Sequence, residues 1–168
     1  MLKDVLCIYD KTIYAKNCEV KEIDNSLSEK FQNENNINGA TNSDLSLGLF
    51  YENELVSLIS FKKYKISIGK WKIQKFCNKL NYNIINGIEK LLNYFEVNYK
   101  PTNLIVSIDR RWSNGKLYEQ HGFKLRKISK PKCWYWKDIK TLESKNFKNS
   151  KHIFDCGNLI FKKDYTSV

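Results

Sequence analysis

The spacing of apolar and polar residues changes several times along the chain, and each change predicts an element. Residues 18–24 (Cys-Glu-Val-Lys-Glu-Ile-Asp) alternate apolar with charged, the period of a half-buried strand. Asn25 and Ser26 can cap a helix that carries Leu27 and Phe31 to about Asn35, and Asn36-Ile-Asn-Gly39 breaks it. Residues 45–50 and 55–62 read as the strands of a hairpin around Tyr51-Glu-Asn-Glu54, and 71–77 as a third strand. Ile84, Ile88, Leu91, Leu92 and Phe95 recur at helical spacing over 84–97, with Asn83 near the start and Pro101 beyond the end. Leu104, Ile105, Val106 and Ile108 then form a strand that ends at Asp109. Arg110, Arg111 and Trp112 follow, and Ser113 can cap a short helix over 114–121 that stops at Gly122. Residues 123–128 and 133–136 read as strand, interrupted near Pro131. Residues 140–150 are polar and read as a loop, and 152–163 as a last strand with a bulge at Gly157. The order β-α-β-β-β-α-β-α-β-β has no internal repeat and no linker-like tract. It describes a single domain over residues 1–168, on an α+β or α/β plan.

Composition narrows the partners. Against 18 Asp and Glu stand 29 Lys and Arg, a formal net charge of +11. That excess suits a polyanion, and nucleic acid, DNA first, is the expected partner. The abundance of Lys, Asn and Ile also fits an AT-rich genome, which alone raises lysine content. No stretch approaches the ~20 apolar residues of a membrane span, and acids inside the first ten residues argue against a signal peptide. The five cysteines (7, 18, 77, 133, 156) contain no CxxC, which argues for free thiols in a reducing cytoplasm. Two histidines are present. His121 suits a solvent-facing or helix-capping role before Gly122, and His152 begins the last strand.

Several longer words carry a resemblance. Leu117-Tyr118 before Gly122-Phe123 resembles the final helix of the Gcn5-related N-acetyltransferase (GNAT) family. The words Leu47–Phe61, Phe76–Leu80, Asp109–Tyr118 and Ile153–Leu159 resemble, more closely, a GNAT-like domain carried by phage homing endonucleases and the phage Mom-type DNA-modification proteins. The resemblance spans about residues 13–161. It implies an α+β GNAT-like fold with a mixed central sheet flanked by helices. It implies an acyl-derived modification of DNA bases by an enzyme of the acyltransferase type, in the cytoplasm of a host cell if the chain is phage-encoded. It also implies acetyl-CoA or another acyl-CoA as cofactor, held where Asn86, Gly87 and Ile88 open a helix. The physical basis is the affinity of free amides and the helix dipole for phosphate, with Lys75 as a neighbouring cation. Asp109 and Tyr118 match the family's catalytic positions. Mom-type proteins add a histidine near the end of the first helix, in a cluster associated with a metal. Here that segment reads Glu34-Asn-Asn-Ile-Asn-Gly39, and asparagine is a poor ligand and no general base. No metal is therefore expected; Asp109 and Tyr118 are the ligands only if one is present.

Two alternatives keep the same scaffold. One is a catalytically decayed GNAT fold that serves as a nucleic-acid-binding module or as a phage counter-defence inhibitor of a host defence protein. The other is an ordinary N-acetyltransferase. For nucleic acid, Arg110, Arg111, Trp112, Lys116, Lys130 and Lys132 are the candidate contacts, since guanidiniums bind phosphate in pairs of bonds and tryptophan stacks on bases. Equally, Arg111 pairs with Asp109 and Trp112 packs over the loop as structure. Trp134, Tyr135 and Trp136 alternate along a strand, which offers one ring for the same purpose.

Overall fold

The computed structural model describes residues 9–64, 67–136, 142–143 and 151–165. Two compact units make up the chain, Met1–Leu104 with Tyr165–Val168, and Ile105–Asp164.

In the first unit β1 (Lys11–Tyr14) passes through a 3-10 turn (Ala15–Asn17) into β2 (Glu19–Ile23). There follow α1 (Asn25–Asn35), β3 (Leu45–Tyr51), β4 (Glu54–Lys63), β5 (Lys70–Asn78), β6 (Tyr82–Ile85) and α2 (Gly87–Tyr99). Strands β2, β3, β4 and β5 are antiparallel neighbours in that order, and β1 pairs in parallel with β6. The β3–β4 hairpin turns at Glu52 and Asn53, both at positive φ (49° and 65°), as a two-residue connection requires. Leu47, Leu49, Leu58, Ile59 and Phe61 are all fully buried, so the sheet is covered on both faces. On one face Phe31 of α1 packs with Leu58 and Cys77, flanked by Ile23 and Leu55. On the other, Phe95 of α2 stacks on Phe61 at 3.9 Å between ring centres and meets the edge of Trp71 at 5.2 Å. Ile88, Leu91, Leu92 and Phe95 form the buried stripe of α2, as their spacing predicts.

Two expected boundaries move. The helix expected from residue 84 starts at Gly87, because residues 82–85 pair with 11–14 as a strand. Ile84 fits either period, and the ladder to β1, remote in sequence, decides. The cap of α1 is Asp24 rather than Asn25 or Ser26, its carboxylate accepting from the Leu27 amide at 2.8 Å. A polar chain that no periodicity announces ties α1 to the sheet. Gln32 Nε2 donates to Ser28 Oγ (2.9 Å), which meets Ser46 Oγ (2.9 Å), while Gln32 Oε1 accepts from the Thr41 amide (3.2 Å).

The second unit takes in most of β7 (Asn103–Asp109), then α3 (Lys116–Gln120), β8 (Lys124–Ile128), β9 (Cys133–Trp136), β10 (Leu142–Glu143), β11 (Lys151–Phe154) and β12 (Asn158–Asp164). Strand β12 lies between β7 and β8 and is antiparallel to β8. Strand β9 lies between β10 and β11, antiparallel to both. The last strand expected over 152–163 is thus two strands, separated at Asp155–Gly157. Gly157 sits at φ +70°, and a Cβ there would lie 2.4 Å from the Ser129 carbonyl oxygen, so only glycine fits. Most of the loop expected over 140–150 lies outside the described residues, and 142–143 pair with β9. Among the described residues no helix is long and apolar enough to cross a membrane.

Candidate functional site

Two sets of residues carry chemistry, one in each unit. In the second unit β7 delivers Asp109 to a tight loop. Arg111 grips its carboxylate: Nε lies 3.0 Å from both oxygens and Nη2 2.5 Å from Oδ2, while the Arg111 amide donates to Oδ1 at 2.9 Å. These bonds, the Arg111 side chain first, hold the Asp109 carboxyl below its ordinary range. An anion so occupied is a poor general base. Arg110 points elsewhere, Nη1 donating to the Cys156 carbonyl at 3.1 Å. Trp112 is half exposed (49%), with the Arg111 guanidinium 5.9 Å from its ring centre. Of the two readings of this loop, the Asp109–Arg111 pair is present, and the indole still presents open surface.

Ser113 does not cap α3. It accepts from the Gly115 amide at 3.2 Å, and Gly115 itself, at φ +82°, starts the helix. Glycine is needed there twice, because a Cβ would fall 2.4 Å from the Phe161 ring. This start turns Tyr118 inward, where 9% of its surface remains exposed and its ring meets the Phe123 edge at 5.6 Å. Burial pushes the Tyr118 phenol well above its ordinary 10. His121 terminates the helix, its backbone amide bonding to the Tyr118 carbonyl at 3.0 Å.

In the first unit, α2 begins at Gly87 behind Asn86, whose backbone is left-handed (φ 59°, ψ 23°). No side chain caps this end. The first-turn amides of a helix have no partner within it, so Gly87, Ile88 and Glu89 present N–H groups as a diphosphate requires. The backbone therefore fits an acyl-CoA. The side chains contribute less. Gly87 is small because Ile84 fills its space (Cγ2 at 2.9 Å from a Cβ), and Ile88 is buried and offers only its amide. Lys75 is held at the far end of α1, where Nζ donates to the Gly39 carbonyl at 2.5 Å and to Asn36 Oδ1 at 3.1 Å. Burial lowers the pKa of this amine. Lys90 is likewise engaged, with the Ala15 and Cys18 carbonyls.

Lys116, Lys130 and Lys132 are exposed. Trp134 is partly covered, and its indole donates to Asp155 Oδ2 at 2.9 Å, so that ring is anchored. Asp155 was not among the expected site residues. It also accepts from the Lys132 and Gly157 amides, both at 2.8 Å, and locks the turn behind Arg110. The Asp155-Cys-Gly-Asn158 string, an aspartate two residues before a glycine, was the turn signal that could have found it. Among the described residues no three His, Cys, Asp or Glu side chains gather as metal ligands.

No protein-family model matches the sequence, and no curated protein matches it. Solved structures do. The ribosomal-protein-S18-alanine N-acetyltransferase of Escherichia coli superposes with a TM-score of 0.63 at 9% identity, over 90% of this chain and 96% of that one. A Bacillus subtilis acetyltransferase in complex with CoA gives 0.62 at 13% identity, over 89% and 99%. A GNAT family acetyltransferase from Elizabethkingia anophelis with acetyl-CoA bound gives 0.53 at 11% identity, over 89% and 99%. At such identities the likeness shows the fold, which is the α+β GNAT fold that the sequence led one to expect.

Proposed function

We propose that this chain is an acyl-CoA-dependent N-acyltransferase whose acceptor is an amine on a nucleic-acid base, as in the phage Mom-type proteins its sequence resembles. The observation that carries the acyl-transfer part is the GNAT fold, with Tyr118 on the short helix α3. Binding of coenzyme A or acetyl-CoA by the structural neighbours supports the same cofactor here. Acyl-CoA would supply a thioester-activated acyl group and a diphosphate by which to hold it. The amides of Gly87, Ile88 and Glu89 would receive the diphosphate, with Asn86 turning the chain so that they are free. Tyr118 would be the proton donor to the leaving thiolate, and the proton of the acceptor amine would pass to solvent. Asp109 positions Arg111 rather than acting as base, and Arg111 and Trp112 present a cation and a ring to the acceptor nucleotide.

Mass spectrometry of nucleosides from cells expressing the protein tests this reading. A mass-shifted base is expected, absent with Tyr118→Phe. Purified Tyr118→Phe is expected to lose roughly 10²–10⁴ in transfer rate while it still binds acyl-CoA in calorimetry. Unmodified DNA and RNA together with rapid thioester turnover on small amines would make the chain an ordinary N-acetyltransferase. The engaged Asp109 carboxylate favours a second reading, a scaffold that has lost catalysis and binds nucleic acid or a host defence protein. Absence of all turnover and of acyl-CoA binding would establish that one.

A further inference from the structure

The outer end of the β4–β5 hairpin carries a concentration of positive charge that the acyl-transfer reading does not use. Lys62 and Lys72 are direct cross-strand partners, and Lys63 is opposite Trp71 on the next rung. Lysines facing each other across an antiparallel ladder repel, and each such pair weakens the sheet. Among the described residues none of Lys62, Lys63, Lys70, Lys72 and Lys100 is in an ion pair.

This end also has shape. A groove of about 980 Å³ runs between the hairpin and the C-terminal end of α2, lined by Lys63, Lys70 and Lys100 together with Tyr64, Trp71 and Tyr99. Asp44 is the one acid lining it among the described residues, and its Oδ2 is already taken by the Lys63 amide at 2.8 Å. Tyr64 is 43% exposed, and Lys63 lies 5.0 Å above the centre of the Trp71 ring. The groove adjoins the end of α2 opposite Gly87, one helix length or about 20 Å away. It is therefore separate from the diphosphate position.

We infer that this groove binds a single-stranded nucleic acid, with Lys63, Lys70 and Lys100 on its phosphates and Tyr64 stacked against a base. Unpaired lysines along a groove that also carries aromatic rings match the chemistry of an unpaired strand, whose bases are free to stack and whose phosphates repeat. The net charge of +11 supplies the long-range attraction. The inference goes beyond the acyl-transfer reading and does not depend on it.

The test is fluorescence anisotropy of a labelled mixed-sequence oligonucleotide against the full chain, titrated with salt and without acyl-CoA. Three phosphate contacts give a slope of roughly −2.1 in log K against log salt, about a 20-fold loss between 50 and 200 mM. Lys63→Ala/Lys70→Ala/Lys100→Ala is expected to abolish most of that slope. Lys16→Ala/Lys30→Ala/Lys124→Ala, the same charge removed from exposed positions elsewhere, is expected to keep it. Tyr64→Ala is expected to lower affinity at least about fivefold at every salt concentration, the mark of stacking rather than charge. Absence of binding at low salt, equal losses in the two triple variants, a preference for duplex, or displacement by polyglutamate as effective as by unlabelled oligonucleotide would each overturn the inference. Acyl-CoA binding is measured separately, so failure of either reading leaves the other standing.

Discussion

Asp155 shows how much one side chain organises. Its carboxyl is held at about 2, first by the Trp134 indole and then by the Lys132 and Gly157 amides. The depressed value means that its contribution is fully present above the ordinary 3.8 and is lost as pH falls through about 2. The Trp134 indole N–H resonance is therefore expected to shift with a midpoint near pH 2, and Asp155→Ala is expected to abolish that titration. Ser60 is the opposite case. It is fully buried and its hydroxyl has no partner among the described residues. Ser60→Ala removes an unpaired polar group, so the expected outcome in denaturant unfolding is no loss of stability and a gain of up to about 1 kcal/mol. The thiols divide by burial. Cys77 is pushed up to about 12, Cys18 is raised, and Cys156 is exposed. Peptide mapping after brief alkylation at pH 8 is expected to find Cys156 modified, with Cys18 and Cys77 protected until the chain unfolds.

At the scale of elements, α3 is the most constrained. Its five residues cannot stand by propensity; they are placed by Gly115 at φ +82° against the Phe161 ring and by the buried Tyr118. Gly115→Ala combines a left-handed alanine, about 1–2 kcal/mol, with overpacking of about 1–3 kcal/mol. A marked fall in melting temperature is the expected result, together with loss of the transfer assigned to Tyr118. For α1 the equivalent weak point is Gln32. Gln32→Leu leaves the Thr41 amide and the Ser28 hydroxyl short of a partner, and unfolding by urea is expected to register a loss of about 1–3 kcal/mol. How legible an element was in the sequence follows from where its partners lie. The period of Ile88, Leu91, Leu92 and Phe95 announced α2, because one apolar stripe must face one core. Residues 82–85 carried no such mark, since their partner strand is about 70 residues away and supplies hydrogen bonds rather than a pattern.

For the whole molecule, alkaline stability follows from three tyrosines. Burial raises Tyr99, Tyr118 and Tyr165, and the bonds of Tyr99 to Glu22 and Tyr165 to Glu96 raise those two further. A raised folded value means that the stability is fully present below the ordinary 10 and is lost as pH rises through the folded values. The melting temperature is thus expected to fall above about pH 10 along with phenolate absorbance. Periodicity and turn residues were enough for an α+β or α/β plan, because burying an apolar face leaves few ways to arrange such elements, and the GNAT fold was legible only through the resemblance of the longer words. Asp109 was visible as the end of a strand, and its pairing with Tyr118 as a candidate site came from the resemblance. Their states were not visible. Whether a carboxylate is free or gripped by Arg111, and whether a phenol is buried, depend on neighbours set by the path of the chain. The same holds for Lys75, held by Asn36 and Gly39, and for the facing lysines of the β4–β5 hairpin. Linear order lists charges, but only the paired strands decide which of them meet and which are left without a counter-ion.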